Sequence, residues 1–170
     1  MSGMLLGLFE NGGVYNHCNA FKIMADCRLG RAEQALSTLH KMIPDSKDNP
    51  VSITGAEPYL FVNCWCMHPS FFTRIWFGWF TGTSAWALRG FYEGICGLRR
   101  EYGGLRGQPC IPGAWKELTL TRTFRGCRYH IHISNTGSGK PEVTVDGNRL
   151  ADTLLPVLND GQIHEVVVRT

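Results

Sequence analysis

Leu118-Thr119-Leu120-Thr121-Arg122-Thr123-Phe124 alternates apolar or aromatic with polar side chains, apart from Arg122, at every second residue. Successive residues of a strand point to opposite faces, so a period of two marks a ribbon with one side toward a core. The period returns in Tyr129-His130-Ile131-His132-Ile133, in Val143-Thr144-Val145-Asp146-Gly147 and in His164-Glu165-Val166-Val167-Val168. Turn-forming residues separate these runs at Arg125-Gly126, Thr136-Gly137-Ser138-Gly139 and Asp160-Gly161. The pattern predicts a small antiparallel sheet or β-sandwich-like domain over residues 105–170.

Upstream of Gly103-Gly104 the spacing is different. From Ala20 to Met42 the residues Phe21, Ile23, Met24, Cys27, Leu29, Ala32, Ala35, Leu36, Leu39 and Met42 recur at three- and four-residue steps. This predicts two helices with a kink at Gly30, the second stopped by Pro44-Asp45-Ser46. A third helix is expected from Thr83 or Ser84 to about Leu98, with Trp86, Leu88, Phe91, Ile95 and Leu98 inward and Gly97 near its end. Between them, Val51 to Phe80 is too long and too aromatic for a plain connection, and loops of that length usually carry function. The fold class is therefore α+β, helical over residues 1–104 and strand-rich after that.

Composition removes several classes of function. A chain of 170 residues with 44% apolar content has enough material for a packed core. The net charge of +3 is mild and the basic residues are scattered except at Arg99, Arg100 and Arg106, so no nucleic-acid footprint is visible. Met1 to Phe9 has no basic n-region and is short and broken by glycine, unlike a secretion signal or a membrane span. Seven cysteines at irregular spacing suit a reducing cytoplasm. Cys64, Cys66 and His68 alternate, but that spacing is not a zinc knuckle and no second pair follows. His130 and His132 share a strand face, where paired solvent-facing imidazoles compete with a metal pair. No nucleophile elbow, dinucleotide fingerprint or phosphate loop occurs.

Two blocks bring glycine together with polar and aromatic residues just before helix-like sequence: Glu10-Asn11-Gly12-Gly13-Val14-Tyr15-Asn16-His17 and Trp79-Phe80-Thr81-Gly82-Thr83-Ser84-Ala85-Trp86. His17, one turn before a predicted helix, reads either as a hydrogen-bonded structural histidine or as an anion ligand. Thr81-Gly82-Thr83 opens a helix, where hydroxyls and free N–H groups suit an anion and equally suit a simple N-cap. Glu10 and Glu57 lie in glycine-flanked loops beside Tyr15 and Tyr59, a combination of acceptors and aromatic faces that suits sugar hydroxyls. One or two of the many tryptophans and phenylalanines are expected to face a ligand, the others to fill the core.

These blocks, with Gly55 to Tyr59, Tyr102 to Pro112 (YGGLRGQPCIP) and Phe124-Arg125-Gly126-Cys127-Arg128-Tyr129-His130-Ile131, resemble the C-terminal part of the inverting disaccharide phosphorylases of glycoside hydrolase family ninety-four. The resemblance covers nearly the whole chain. It implies the C-terminal portion of an (α/α)6 catalytic barrel over residues 1–104, followed by a β-domain over 105–170. It also implies that His17, Thr81 and Gly82 hold inorganic phosphate and that Glu10, Glu57 and Tyr59 contact a β-linked disaccharide. Phe9 stands where cellobiose phosphorylases commonly carry lysine. The family's general acid is an aspartate of an earlier barrel helix, a role that neither Asp26 nor Asp45 takes over. The chain is thus expected to be a fragment, inactive alone, completed by an upstream catalytic chain or a second copy. No metal or organic cofactor is implied, because phosphate is a substrate of this chemistry.

Overall fold

Three of the predicted runs of alternation, and part of a fourth, become strands in the computed structural model, which describes residues 3–44 and 47–170. In chain order the elements begin with β1 (Val14–Tyr15), α1 (Asn16–Arg28), α2 (Ala32–Met42), α3 (Val51–Thr54) and β2 (Cys64–Trp65). A 3₁₀ turn at Pro69–Phe71 leads to β3 (Ile75–Trp76), then α4 (Thr83–Arg89) continues as a π-helical turn over Gly90–Ile95. The strands β4 (Leu98–Glu101), β5 (Gly104–Gly107), β6 (Glu117–Phe124), β7 (Cys127–Ser134), β8 (Glu142–Val145), β9 (Asn148–Arg149), β10 (Leu154–Leu155) and β11 (Ile163–Arg169) complete the fold. The expected helix stop at Pro44-Asp45-Ser46 is described only as far as Pro44, since Asp45 and Ser46, like Met1 and Ser2, lie outside the described residues.

The two predicted helices are present, broken where Gly30 takes a left-handed conformation. In α2, Ala35, Leu39 and Met42 are buried on one face, Glu33 lies in the first turn and His40 and Lys41 in the last, charges that suit the helix dipole. Helix α1 starts at Asn16 rather than near Ala20. Apolar periodicity cannot reveal this first turn, whose inward residue is the fully buried polar Asn16.

The third helix departs further from expectation. At its end the Cys96 N–H reaches back five residues to the Phe91 carbonyl, at 2.8 Å, and the chain then leaves as β4, so Leu98 is a buried strand residue. Leu88, expected inside, is exposed, whereas Ala87 is buried. The face toward α1 is made flat by glycine. A side chain on Gly90 would come within 3.3 Å of Ile23, and one on Gly94 within 3.2 Å of both Met24 and Cys27. Helix 83–95 is therefore pressed onto α1 across its smallest residues.

The strand-rich half contains a five-stranded sheet in the order β6-β7-β11-β8-β9 and a three-stranded sheet in the order β10-β5-β4. The larger one is mixed, which corrects the expectation of an antiparallel sheet. Strand β11 lies parallel to β7, from Ile163 opposite Arg128 to Arg169 opposite Ser134, and antiparallel to β8. Alternation fixes which side chains face the core but not the direction of the neighbouring strand. Tyr129, Ile131, Ile133, Val143, Val166 and Val168 line the buried face. Gly107 of β5 stacks over it, its missing Cβ 3.6 Å from Val168 and 3.7 Å from Val143. One continuous apolar cluster runs from Ala20 and Ile23 through Ile95, Leu98 and Leu105 to Ile131 and Val168, while Ala56, Leu60, Val62 and Trp65 form a second beneath the loop region.

At one edge of this core the His164 imidazole is held by two carboxylates. Its Nδ1 lies 2.7 Å from Asp146 Oδ2 and its Nε2 3.1 Å from Asp160 Oδ1. Bonding to Asp146 and then to Asp160 raises the His164 pKa above its ordinary 6.5. Stabilisation from a raised histidine is fully present below the unfolded value and is lost as pH rises through the folded one. The thermal midpoint is expected to fall as pH rises from about 6 to about 8, with His164→Gln flattening that slope in calorimetry or circular dichroism melts.

Candidate functional site

Helix α1 is tied down at its first residue. The buried Asn16 side chain donates to the Val62 carbonyl at 3.0 Å and accepts from Asn19 at 2.9 Å, while the Asn16 backbone N–H bonds to the Asn63 carbonyl at 2.9 Å. Asn63 also donates its backbone N–H to the Phe77 carbonyl at 3.0 Å, and its side-chain oxygen accepts from the Thr81 hydroxyl at 3.5 Å. The start of α1 and the loop ahead of α4 are therefore held through one residue.

This places His17 inside the first turn of α1, not one turn before it, with its ring directed at the second block. Its Nδ1 pairs with the Tyr15 hydroxyl, and the two rings meet edge to face with centroids 4.8 Å apart. Its Nε2 faces Gly82. A Cβ on that glycine would lie 2.9 Å from the nitrogen, so the imidazole occupies space that any other residue would fill. Beside it, Thr81 Oγ1 accepts the Thr83 N–H at 3.0 Å and sits 2.7 Å from Thr83 Oγ1. One helix-opening N–H is thus already satisfied by the Thr81 side chain, a local turn that fixes both hydroxyls.

The carboxylate and tyrosine of the 55–59 loop meet the same segment from the other end. Glu57 Oε1 accepts the Trp79 indole N–H at 3.2 Å, its Oε2 faces Gly78, and the Tyr59 ring lies 5.9 Å from that of Trp79. These aromatics are unusually open, with Tyr59 72%, Trp79 68% and Phe80 86% exposed. Trp65, by contrast, is buried, and Trp76 and Phe77 pack on the Phe9 ring.

Of the six sequence candidates, His17, Thr81 and Gly82 converge, and Glu57 and Tyr59 adjoin them through Trp79. Glu10 is exposed on the tight turn that follows Phe9, and among the described residues it makes no hydrogen bond with the other five. Nearby, burial, with smaller contributions from Cys66 and Glu10, pushes the Cys64 thiol up to about 11. Among the described residues no cluster of three or more histidine, cysteine or acidic side chains is arranged to hold a metal. His130 pairs with Glu165 at 2.9 Å, and His132 lies 3.2 Å from the Thr119 hydroxyl. A cavity of about 820 Å³ lies away from the site, between the helices and the β1-β2-β3 sheet, lined by Asn19, Lys22, Thr38, Trp65 and Phe72 among others. Among the described residues no helix is long and apolar enough to cross a membrane.

The residues that sequence reasoning passed over are Asn16, Asn63 and Trp79 as a hydrogen-bond donor. Asn16 stood beside His17 in a motif already singled out, but nothing in its spacing announces burial.

Comparison with known proteins shows the class to which the chain belongs, a carbohydrate-active one. Residues 1–97 match the model of the Glycosyl hydrolase 94 superfamily, catalytic domain, and the chain belongs to that family. It is 36% identical over 99% of its length to solabiose phosphorylase of Paenibacillus borealis, covering 22% of that protein. It is 32% identical to N,N'-diacetylchitobiose phosphorylase of Vibrio furnissii, over 83% of this chain and 18% of the relative. With cellobionic acid phosphorylase of Neurospora crassa the identity is 33%, over 96% of this chain and 21% of the relative. The chain therefore spans about a fifth of the length of these curated relatives.

Asn16→Ala is expected to cost about 2 kcal/mol in a denaturant melt, because it strands the buried Val62 carbonyl and removes Asn19's partner. The same substitution should loosen His17, read as a shift of its imidazole resonances toward those of a solvent-exposed ring.

Proposed function

We propose that this chain supplies the phosphate-holding part of an inverting disaccharide phosphorylase, which cleaves a β-linked disaccharide with inorganic phosphate to give a sugar 1-phosphate and a free sugar. The observation that carries this reading is the meeting of His17 Nε2 with the bare face of Gly82, next to the Thr81 hydroxyl. The Tyr15 hydroxyl can donate to Nδ1, and in that tautomer the ring carries its proton on Nε2, the nitrogen that faces Gly82 and would donate to a phosphate oxygen. The Thr81 hydroxyl supplies a second donor to the same anion by turning its proton from the Asn63 side-chain oxygen, 3.5 Å away.

Glu57 and Tyr59, with Trp79, then form one wall for a sugar, the carboxylate taking hydroxyl protons and the aromatic faces lying against the ring. Glu10 belongs to this set by the resemblance of its motif, and it reaches the sugar only if the bound substrate extends to the Phe9 turn. Phosphate attacks the anomeric carbon from one side while an acid protonates the leaving oxygen on the other. That acid lies outside this chain in our reading. Residues 1–104 are then the last part of an (α/α)6 barrel and residues 105–170 its β-domain, working in the cytoplasm with an upstream catalytic chain or as a homodimer, and without metal or organic cofactor. The isolated chain is inactive.

A second reading has its own support in the open ledge of Tyr59, Trp79 and Phe80: a carbohydrate-binding or subunit-interaction module derived from such an enzyme. It requires oligosaccharide binding that ignores phosphate.

The test is phosphorolysis of cellobiose, cellobionic acid, chitobiose and solabiose with inorganic phosphate, by the chain alone and mixed with the upstream gene product. Sugar 1-phosphate is expected in the mixture only, with His17→Ala lowering the rate about 100-fold or more. No product in either arm, together with phosphate-independent sugar binding, would favour the module.

A further inference from the structure

Two thiols converge on the same turn of the π-helical segment. The Cys27 sulfur, in the last turn of α1, lies 3.2 Å from where a side chain on Gly94 would begin. Cys110 arrives from the other direction, its backbone N–H bonded at 2.9 Å to the carbonyl of the next residue, Ile95. The path of Cys110 is set by Gly97, whose left-handed backbone lets Gln108 pass so closely that any Cβ there would collide with the Gln108 carbonyl. Cys27 and Cys110 are thereby brought to one side of this turn, both are partly exposed, and both line one cavity of about 310 Å³ with Met24, Arg28, Arg99 and Gln108.

We propose that Cys27 and Cys110 are a modification site: they close into a reversible disulfide that staples the end of α1 to the segment leading into the five-stranded sheet. The oxidant is a small disulfide of the glutathione class, which meets Cys110 from the solvent side of the cavity. The Cys110 thiolate attacks one sulfur of the oxidant, expelling the other as a thiolate and leaving a mixed disulfide. Cys27 then gives up its proton and attacks the Cys110 sulfur, expelling the second small thiol. Two protein thiols lose two hydrogens and two electrons, and one small disulfide becomes two thiols.

The two cysteines are suited to different steps. Hydrogen bonding from Cys27 holds the Cys110 thiol below its ordinary range, which favours the first attacking thiolate; the same bond raises Cys27, and its loss when Cys110 becomes a mixed disulfide releases Cys27 for the second attack. Cys96 is the nearby competitor. It is fully buried, out of reach of an oxidant arriving from solvent, whereas Cys27 and Cys110 are partly exposed, so Cys96 stays reduced.

The experiment incubates the reduced full chain with oxidised glutathione, blocks remaining thiols with iodoacetamide and maps the peptides by mass. A crosslink between the Cys27 and Cys110 peptides is expected, lighter by two hydrogens and reversed by dithiothreitol, with a rise of about 10 °C in the thermal midpoint from the long loop that it closes. Cys110→Ser should lose the crosslink and Cys96→Ser should keep it. Carbamidomethyl groups on both Cys27 and Cys110 after oxidation, a stable glutathionyl adduct without exchange, or a crosslink through another cysteine would each overturn the proposal. So would a Cys27–Cys110 crosslink that leaves the midpoint unchanged or lower.

Discussion

The carboxamide of Asn16 is the constraint from which the candidate site hangs. It is a polar group with no exposure to water, so its donor and acceptor must find partners, and they do so at the Val62 carbonyl and the Asn19 amide. Satisfying those bonds fixes the rotation and height of α1 against the strand at Cys64–Trp65, and His17, one residue later, is turned toward Gly82 with Tyr15 on its other nitrogen. Asn63 then transfers the same alignment to Thr81. A site assembled from segments over sixty residues apart in sequence is in this way registered by two asparagines that need never touch a ligand.

What holds that frame in place is the contact between α1 and helix 83–95. Gly90 and Gly94 remove the side chains that would separate the two helices, and the wider π turn brings Glu93 inward, where a buried carboxylate needs charge partners. It has two: Arg89 at 2.8 Å and Arg100 at 3.1 Å, one from the helix itself and one from β4. The helical layer and the sheets are thus joined by packing and by charge at the same place, which agrees with a single apolar cluster running through both.

Much of this was legible in the sequence where a repeating physical cause operated. Alternation located the long strands, and three- and four-residue spacing located α1 and α2, because burial on one face leaves a periodic trace. The trace fails where a polar residue is buried, so the first turn of α1 was hidden, and where glycine supplies the contact, so the inner face of helix 83–95, rightly given Ile95, was also given the exposed Leu88 and not Gly90 and Gly94. Strand direction leaves no trace either, hence the unexpected parallel pairing of β7 and β11. Of the candidate site, the chemistry of His17, Thr81, Gly82, Glu57 and Tyr59 was visible in their motifs, while their arrangement depended on long-range bonds from Asn16 and Asn63. Glu10 shows the limit of motif reading: the residue is where the pattern puts it, and the fold leaves it apart from the others.

The place of β11 has a consequence for how the protein is made. Ile163–Arg169 is synthesised after the other four strands of its sheet, yet it lies between β7 and β8, which have no other pairing with each other. Until the ribosome releases those seven residues, the β6–β7 and β8–β9 hairpins exist as two ribbons with open edges and uncovered valines. The nascent chain must therefore pass through an interval with its sheet divided, a window in which pairing with another chain competes with the arrival of its own central strand.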